Sequence, residues 1–309
     1  MIITLTVNPA IDQTITVDRL VFDDRAYVTS RRESAGGRGI NASCVIHSFG
    51  GKTMAIVPAG GTSGAHFEEF LKCCGFELVL VPIRNEVRRN LIVTDKHGLT
   101  VKLNEPGATL DAAELARLEK TIRGKLDQAS WFMICGSLPP GVPATFYAQL
   151  IGLARKRGVK TLLDADGEPL EAGIEARPTV VTPNQQEAER LLNTALLTRS
   201  HFVQAVERIQ KMGAESVVLS LGSRGAVGAF DRRMIEVLAP RVDAVCPIGA
   251  GDAMAAAFIW AMERKNDYPD ALRWGVAAGT ASSRLAGLRF ASLAETQEIY
   301  QRVEVRQVE

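Results

Sequence analysis

Residues 131–141 read WFMICGSLPPG, and this stretch indicates the fold, because a short apolar strand runs directly into a stiff loop of glycine and proline. Two further short apolar strands are predicted at residues 160–164 and 217–221, and a helix is predicted at residues 110–126. Apolar strands that alternate with helices are typical of a parallel sheet with helices on both faces. The sequence therefore predicts a doubly wound α/β fold.

A second group of predicted strands is more polar. Residues 14–21 and 26–32 alternate between apolar and polar side chains, and residues 90–94 and 100–103 flank a hairpin tip at Lys96-His97-Gly98. Strands of this kind have one solvated face. We therefore expect one domain over residues 1–309, with a small β-appendage inserted in two pieces, at about 11–33 and 86–106.

The composition excludes several classes of partner. Apolar residues make up 46% of the 309 residues and the formal net charge is +1, so neither nucleic acid nor a membrane surface is an expected partner. The longest apolar run, residues 253–262, is too short to span a bilayer.

The N-terminus is expected to be a first strand and not a signal peptide. The five cysteines have no disulfide-like or zinc-like pattern, which favours the reducing cytoplasm.

The strongest chemical signal is Ile248-Gly249-Ala250-Gly251-Asp252, which leads directly into the apolar run. Small residues that open a helix leave its first N–H groups free, and such an end stabilises anions, above all a phosphoryl group in transit. Asp252 beside it is suited to take a proton from an attacking hydroxyl. The alternative is that Asp252 only caps the helix.

The second signal is the glycine-rich segment at residues 35–42, AGGRGINA, whose glycines allow a close approach of the backbone to a ligand. The segment contains the dinucleotide pattern G-x-G-x-x-A. We reject that interpretation, because residues 29–34 are polar and no acidic residue follows at the spacing that a ribose contact needs.

The third signal is Thr182-Pro183-Asn184-Gln185-Gln186-Glu187, which follows a short strand. One interpretation is that Asn184 and Glu187 project toward nucleotide phosphates and the water shell of Mg²⁺, a cation that favours oxygen ligands. The other interpretation is a capping box at the start of a helix. The pattern alone does not separate the two.

Two loops complete the set. In Ser220-Leu221-Gly222-Ser223-Arg224-Gly225, glycines follow an apolar strand, so the loop can receive a nucleotide without obstruction by side chains. Residues 136–141 form a stiff loop at the ligand-binding edge of the predicted sheet.

These five elements, in this order, resemble the ribokinase-like carbohydrate kinases, and within them the phosphofructokinase-B branch. The resemblance runs from residues 4–12 to residues 275–279 and so covers most of the chain. It implies a Rossmann-type sandwich with a small β-sheet lid, a homodimer formed through that lid, and the use of ATP with Mg²⁺.

The resemblance also assigns roles to single residues. It implies that Asp252 is the base, next to the anion-binding residues Gly249, Ala250 and Gly251. It implies that the sugar is bound by Asp12, Gly36, Gly37, Asn41 and Ser137. It implies that the nucleotide is bound by Asn184, Ser220, Gly222 and Gly225, and that Glu187 binds Mg²⁺ through water. Cys246 stands near the family's monovalent-cation site and is a poor ligand for K⁺, which leaves activation by K⁺ open.

The identity of the sugar depends on two arginines in the lid segments. Arg25 and Arg88 match positions that hold the substrate phosphate in phosphofructokinase-type relatives, and guanidinium groups suit phosphate. The expected reaction is therefore phosphorylation of a hydroxymethyl group on a sugar phosphate, with fructose 6-phosphate, fructose 1-phosphate and tagatose 6-phosphate all open. The alternatives are a kinase of an unphosphorylated sugar or nucleoside, and a sugar-phosphate sensor without catalysis.

Overall fold

A computed structural model describes residues 1–21, 23–231 and 233–308, and these form two sheets with helices around the larger one. The strands are, in chain order, β1 (Ile2–Thr6), β2 (Ala10–Val17), β3 (Val28–Gly36), β4 (Thr53–Gly60), β5 (Glu77–Ile83), β6 (Arg88–Asp95), β7 (Thr100–Asn104), β8 (Trp131–Cys135), β9 (Lys160–Asp164), β10 (Val180–Val181), β11 (Ser216–Ser220), β12 (Ala226–Phe230), β13 (Arg233–Leu238) and β14 (Glu304–Val308). The α-helices are α1 (Arg38–Ser48), α2 (Gly61–Lys72), α3 (Ala112–Lys125), α4 (Phe146–Arg155), α5 (Gly167–Glu175), α6 (Gln185–Leu192), α7 (Arg199–Met212), α8 (Ala250–Lys265), α9 (Tyr268–Ser283) and α10 (Leu293–Tyr300).

The large sheet has the strand order β14-β13-β12-β11-β10-β9-β8-β1-β4-β5. Every pair from β5 to β11 is parallel, whereas β12, β13 and β14 add an antiparallel edge. The predicted α/β fold is confirmed. The antiparallel edge was not predicted, because its strands lack a turn signal as clear as that of residues 96–98.

Both faces of the large sheet are buried, as the short apolar strands predicted. In β8, Phe132 and Ile134 pack into the core on one face, while Trp131 and Met133 pack into the core on the other. Helix α8 lies on the second face between α1 and α9, and its residues 253–262 are all buried. Because α8 is apolar on every side and packs against α1, α9 and the rest of the core, the position of its N-terminus is fixed.

The small sheet, called the lid below, has the strand order β3-β2-β6-β7. Strands β6 and β7 form the predicted antiparallel hairpin, and β2 pairs in parallel with β6, so that Asp12 lies beside Asn90. The lid thus joins two segments of the chain that are distant in sequence.

In the part of the chain that the structure describes, no helix is long and apolar enough to cross a membrane. The residues that follow the parallel strands meet at one edge of the large sheet, where doubly wound folds bind their ligands. These residues include Asn8 after β1, Ser137 after β8 and Asn184 after β10.

Candidate active site

The N-terminus of α8 forms the centre of the site. Gly249 precedes the helix with φ +80°, and a Cβ there would lie 2.8 Å from Leu288 Cδ1, so this position requires glycine. The N–H of Ala250 donates to the carbonyl of Pro247 at 3.2 Å. Among the described residues, the N–H groups of Gly249, Gly251 and Asp252 have no backbone acceptor. Of the three residues predicted to bind the anion, Gly249 and Gly251 therefore keep free N–H donors, as does Asp252, whereas the Ala250 N–H is not free.

Asp252 does not cap the helix; it lies in the first turn, and the capping interpretation is wrong. Asn41 Nδ2 donates to Asp252 Oδ2 at 2.7 Å. Burial, with the negative charge of Asp164, raises the pKa of Asp252 to about 7, while the Asn41 hydrogen bond and the positive charge of Arg38 lower it. A carboxyl group with a pKa near neutrality is well matched to general-base work at neutral pH.

A cavity of about 890 Å³ lies between the lid and this helix end, and it is called the lid cavity below. The predicted substrate residues that line it are Asp12, Gly37, Asn41, Arg88 and Ser137, and from α8 it receives Gly249 and Asp252. Most of the predicted substrate site is thus brought together around one space of a size typical for a small-molecule ligand.

One face of the lid supplies the polar wall of this cavity. Alternate residues Arg88, Asn90 and Ile92 on β6, with Lys102 and Asn104 on β7, line it. The Nη groups of Arg88 donate to the carbonyls of Glu105 (2.7 Å) and Asn8 (3.1 Å), whereas its Nε is buried without a partner. Lys102 and Asn104 were missed from the sequence, although the period of two along the predicted hairpin places them on the face of Asn90.

Asp12 is held in place by its neighbours. Asn90 Nδ2 donates to Asp12 Oδ1 at 2.8 Å, and burial raises the pKa of the carboxyl. A Cβ at Gly36 would lie 2.1 Å from Asp12 Oδ2, so Gly36 is required by the packing of Asp12 and does not itself line the cavity.

Arg25 lies apart from the predicted substrate residues that line the lid cavity. It is exposed, its backbone N–H donates to Asp24 Oδ1, and it does not line the lid cavity. The two predicted arginines therefore do not meet within one chain. The second positive charge beside Arg88 is instead that of Lys102, which lines the same cavity.

A second cavity of about 830 Å³ lies on the other side of the α8 N-terminus and is called the loop cavity below. All four predicted nucleotide residues line it, together with Ala250 and Gly251; these four are Asn184, Ser220, Gly222 and Gly225. Gly225 has φ +97°, and a Cβ there would lie 1.9 Å from the carbonyl oxygen of Val237, so the tight turn of this loop requires glycine.

The capping-box interpretation of Asn184 and Glu187 is confirmed, and their role toward Mg²⁺ and the nucleotide stays a prediction. The capping box is present: Asn184 Oδ1 accepts from the Glu187 N–H, and Glu187 Oε2 accepts from the Asn184 N–H, both at 2.9 Å. The other oxygen, Glu187 Oε1, accepts from Arg38 Nη2 at 3.0 Å. One carboxylate oxygen therefore serves the helix, while the other is paired with Arg38, which lines the lid cavity.

Arg38 and Asp164 were not predicted as site residues. Arg38 Nη1 donates to Asp164 Oδ1 at 2.7 Å, so the guanidinium joins the end of β9 to α6. No sequence signal pointed to Asp164, beyond its place at the end of a predicted strand.

The carboxylates of Asp164 and Glu187 fit Mg²⁺, because that ion takes one or two protein carboxylates and completes its shell with water and phosphate oxygens. In the described ranges no three His, Cys, Asp or Glu side chains are grouped closely enough to hold a metal by themselves. The donor set therefore suits an exchangeable ion better than a permanently bound structural metal.

Comparison with known proteins agrees with this arrangement. A profile of the pfkB family of carbohydrate kinases matches residues 5–295. The ATP-dependent 6-phosphofructokinase isozyme 2 of Escherichia coli is 33% identical over 302 residues, which are 97% of either chain. Tagatose-6-phosphate kinase of Staphylococcus epidermidis is 27% identical over 311 residues, which cover 100% of both chains.

Solved structures agree as well. Phosphofructokinase-2 of Escherichia coli in complex with fructose-6-phosphate has a TM-score of 0.89 and 34% identity, over 97% of this chain and 98% of that one. Further structures of that enzyme contain potassium (TM-score 0.90) or are a tetrameric inhibited form (TM-score 0.88). The profile match, which extends over far more than half of the chain, establishes that this protein belongs to the pfkB family of carbohydrate kinases, and the predicted ATP-dependent sugar kinase is confirmed.

Proposed function

We propose that this kinase transfers the γ-phosphoryl group of ATP to the hydroxymethyl group of a ketohexose phosphate. One observation carries the proposal: two cavities of similar size meet at the N-terminus of α8, where Gly249 and Asp252 line one and Ala250 and Gly251 line the other. A donor in the loop cavity and an acceptor in the lid cavity would face each other across the free N–H groups of that helix end.

The proposed mechanism assigns each step to a residue of this chain. Asp252, ionised above its pKa of about 7, takes the proton of the hydroxymethyl group as the oxygen attacks. The free N–H groups of Gly251 and Asp252 stabilise the charge on the phosphoryl group in transit. Asn41 orients the base through its 2.7 Å hydrogen bond. Mg²⁺, held near Glu187 and Asp164, would neutralise charge on the nucleotide phosphates.

A phosphate already present on the sugar is supported by the lid. Arg88 carries a buried Nε with no partner, which is a donor available for an anion, and Lys102 adds a second positive charge to the same wall. The two relatives are named 6-phosphofructokinase and tagatose-6-phosphate kinase, and both names describe kinases of sugar phosphates. Arg25, exposed on the lid, stays a predicted phosphate ligand.

The remaining predictions on assembly, location and ions are proposals. A homodimer through the lid is supported by large apolar side chains that the lid exposes, with Tyr27 at 64%, Val28 at 61% and Leu103 at 57% exposure. The relative from Escherichia coli also has a tetrameric form. A cytoplasmic location stays a prediction, and activation by K⁺ stays open because Cys246 is a poor K⁺ ligand.

The test is a panel of acceptors with labelled ATP and Mg²⁺. We expect turnover of one or more of fructose 6-phosphate, tagatose 6-phosphate and fructose 1-phosphate, and much weaker turnover of the free hexoses. Efficient turnover of free sugars or nucleosides, and not of their phosphates, would favour the first alternative. Binding of sugar phosphates without any turnover would favour the sensor.

A further inference from the structure

Arg38 has no role in the mechanism above, yet it links three elements: α1, which carries it, the end of β9 and α6. It is the first residue of α1, directly after Gly37, and it lines the lid cavity. Its guanidinium is bound to Asp164 Oδ1 at 2.7 Å and to Glu187 Oε1 at 3.0 Å. The Arg38 side chain is 31% exposed, whereas those of Asp164 and Glu187 are 10% and 3% exposed. These ion pairs are therefore largely shielded from solvent.

The charges around Arg38 do not balance. One guanidinium is bonded to two carboxylates, those of Asp164 at 2.7 Å and Glu187 at 3.0 Å. A buried carboxylate without a counter-charge is strongly unfavourable. The metal-free site therefore needs Arg38, and it still has an excess of negative charge that a divalent cation would neutralise.

Arg38 holds the oxygen of Glu187 that the capping box does not use. Glu187 Oε2 accepts from the N–H of Asn184 at 2.9 Å, whereas Oε1 accepts from Arg38 and is the oxygen on the side of the other carboxylate that Arg38 binds. A guanidinium and a divalent cation beside the same oxygen repel each other. Binding of the metal and retention of the Arg38 contacts thus oppose one another.

We infer that Arg38 is the resident counter-ion of the divalent-cation site: it holds Asp164 and Glu187 in the metal-free enzyme and is displaced from them when Mg²⁺ enters. The displaced guanidinium remains in the wall of the lid cavity, where its positive charge can attract the phosphoryl group during transfer. Arg38 is in this sense a positioning residue. The inference rests on the proposed function only in taking Asp164 and Glu187 as the carboxylates that receive Mg²⁺.

The test measures metal binding in the absence of nucleotide and sugar, so that it does not depend on turnover. Free Mn²⁺ is titrated by electron paramagnetic resonance into the unmodified enzyme, Arg38→Gln and Arg38→Lys, and melting is followed in EDTA and in saturating Mn²⁺. The matched control is Arg199→Gln, because Arg199 also pairs with a well-buried glutamate, Glu236, at 2.9 Å and lies outside both cavities.

Without the competing guanidinium, Arg38→Gln should bind Mn²⁺ at least about tenfold more tightly, because one repelling charge is removed. Its melting temperature should fall in EDTA and largely recover in Mn²⁺. Arg38→Lys keeps the charge but reaches only one carboxylate, so its Mn²⁺ affinity should lie between those of the unmodified enzyme and Arg38→Gln. Arg199→Gln should melt lower by the same amount in both conditions, with unchanged Mn²⁺ affinity.

Mn²⁺ affinity that is unchanged or weaker in Arg38→Gln would overturn the inference, since Arg38 would then only support the fold or organise the ligands. Failure of every form to bind Mn²⁺ would also overturn it. Neither outcome would affect the acceptor panel, which tests the proposed function separately.

Discussion

Replacement of Gly251 by alanine should raise the stability of the protein while it lowers its activity. Gly251 is the second residue of α8, its φ is outside the left-handed region, and a Cβ there would have no protein atom within 4 Å. Alanine is favoured over glycine in a helix by up to ~1 kcal/mol. In a chain of this size that corresponds to a rise in melting temperature of about 2 °C.

The same methyl group should impair phosphoryl transfer. Gly251 lines the loop cavity, and its free N–H belongs to the end of α8 at which the phosphoryl group is proposed to pass. A side chain in that space would keep the phosphoryl group from the N–H donors. Loss of one such donor typically lowers kcat about 10²- to 10³-fold. The assay is steady-state kinetics on the best acceptor of the panel, with differential scanning calorimetry on the same preparation.

Gly152→Ala is the matched control, because Gly152 lies inside α4, lines neither cavity, and also leaves a Cβ without contacts within 4 Å. It should gain similar stability and keep full activity. If Gly251→Ala is stabilised and keeps normal turnover, the phosphoryl group does not pass over this helix end. If Gly251→Ala is destabilised, the open space described at this position does not exist.

Three further substitutions and one pH profile test the remaining roles. Asp252→Asn should lower kcat by about 10²- to 10⁴-fold with ATP binding retained; near-normal turnover would exclude Asp252 as the base. In the unmodified enzyme kcat/KM should fall below the pKa of about 7, because the protonated carboxyl cannot accept a proton, and should level off above it; a profile without this acid limb would contradict the assignment. Arg88→Ala should lose about ten- to a hundred-fold in kcat/KM on a hexose phosphate and little on the free hexose, since a charged hydrogen bond contributes roughly 1.5–3 kcal/mol; equal losses would make Arg88 structural. Glu187→Gln should raise the Mg²⁺ concentration needed for activity, as well as lowering the melting temperature; a stability loss alone would leave Glu187 only its capping role.

The parts of the fold that follow from local patterns were predictable. Strand β8 begins and ends where its apolar run does, because all five of its residues are buried against the core on one face of the sheet or the other. The polar hairpin of β6 and β7 was visible from its alternation and its tip. The motif at residues 248–252 predicted where α8 begins, because small residues followed directly by an apolar run are typical of the start of a buried helix.

The parts that depend on long-range contacts were not predictable from single motifs. Arg38 and Asp164 are 126 residues apart, and no local pattern states that an arginine in a glycine-rich segment will pair with the end of a distant strand. Arg25 shows the converse: its position on a polar segment placed it in the lid, but the direction of its side chain depends on how the lid is folded. The period of two along the predicted hairpin places Lys102 on the same face as Asn90, so this residue was predictable from the alternation alone.

The parallel pairing of β2 with β6 has a consequence for the order in which the protein folds. Asp12 and Asn90 are 78 residues apart, and α1, β4, α2 and β5 of the large sheet lie between their strands. The loop that separates them can be closed at low entropic cost only after those elements have settled on the core. The lid should therefore form last during folding, and its amide hydrogens should exchange with solvent before those of β1 or β8. A partly opened molecule would thus lose the lid wall of the proposed sugar site, while the loop cavity, the proposed nucleotide site, is still intact.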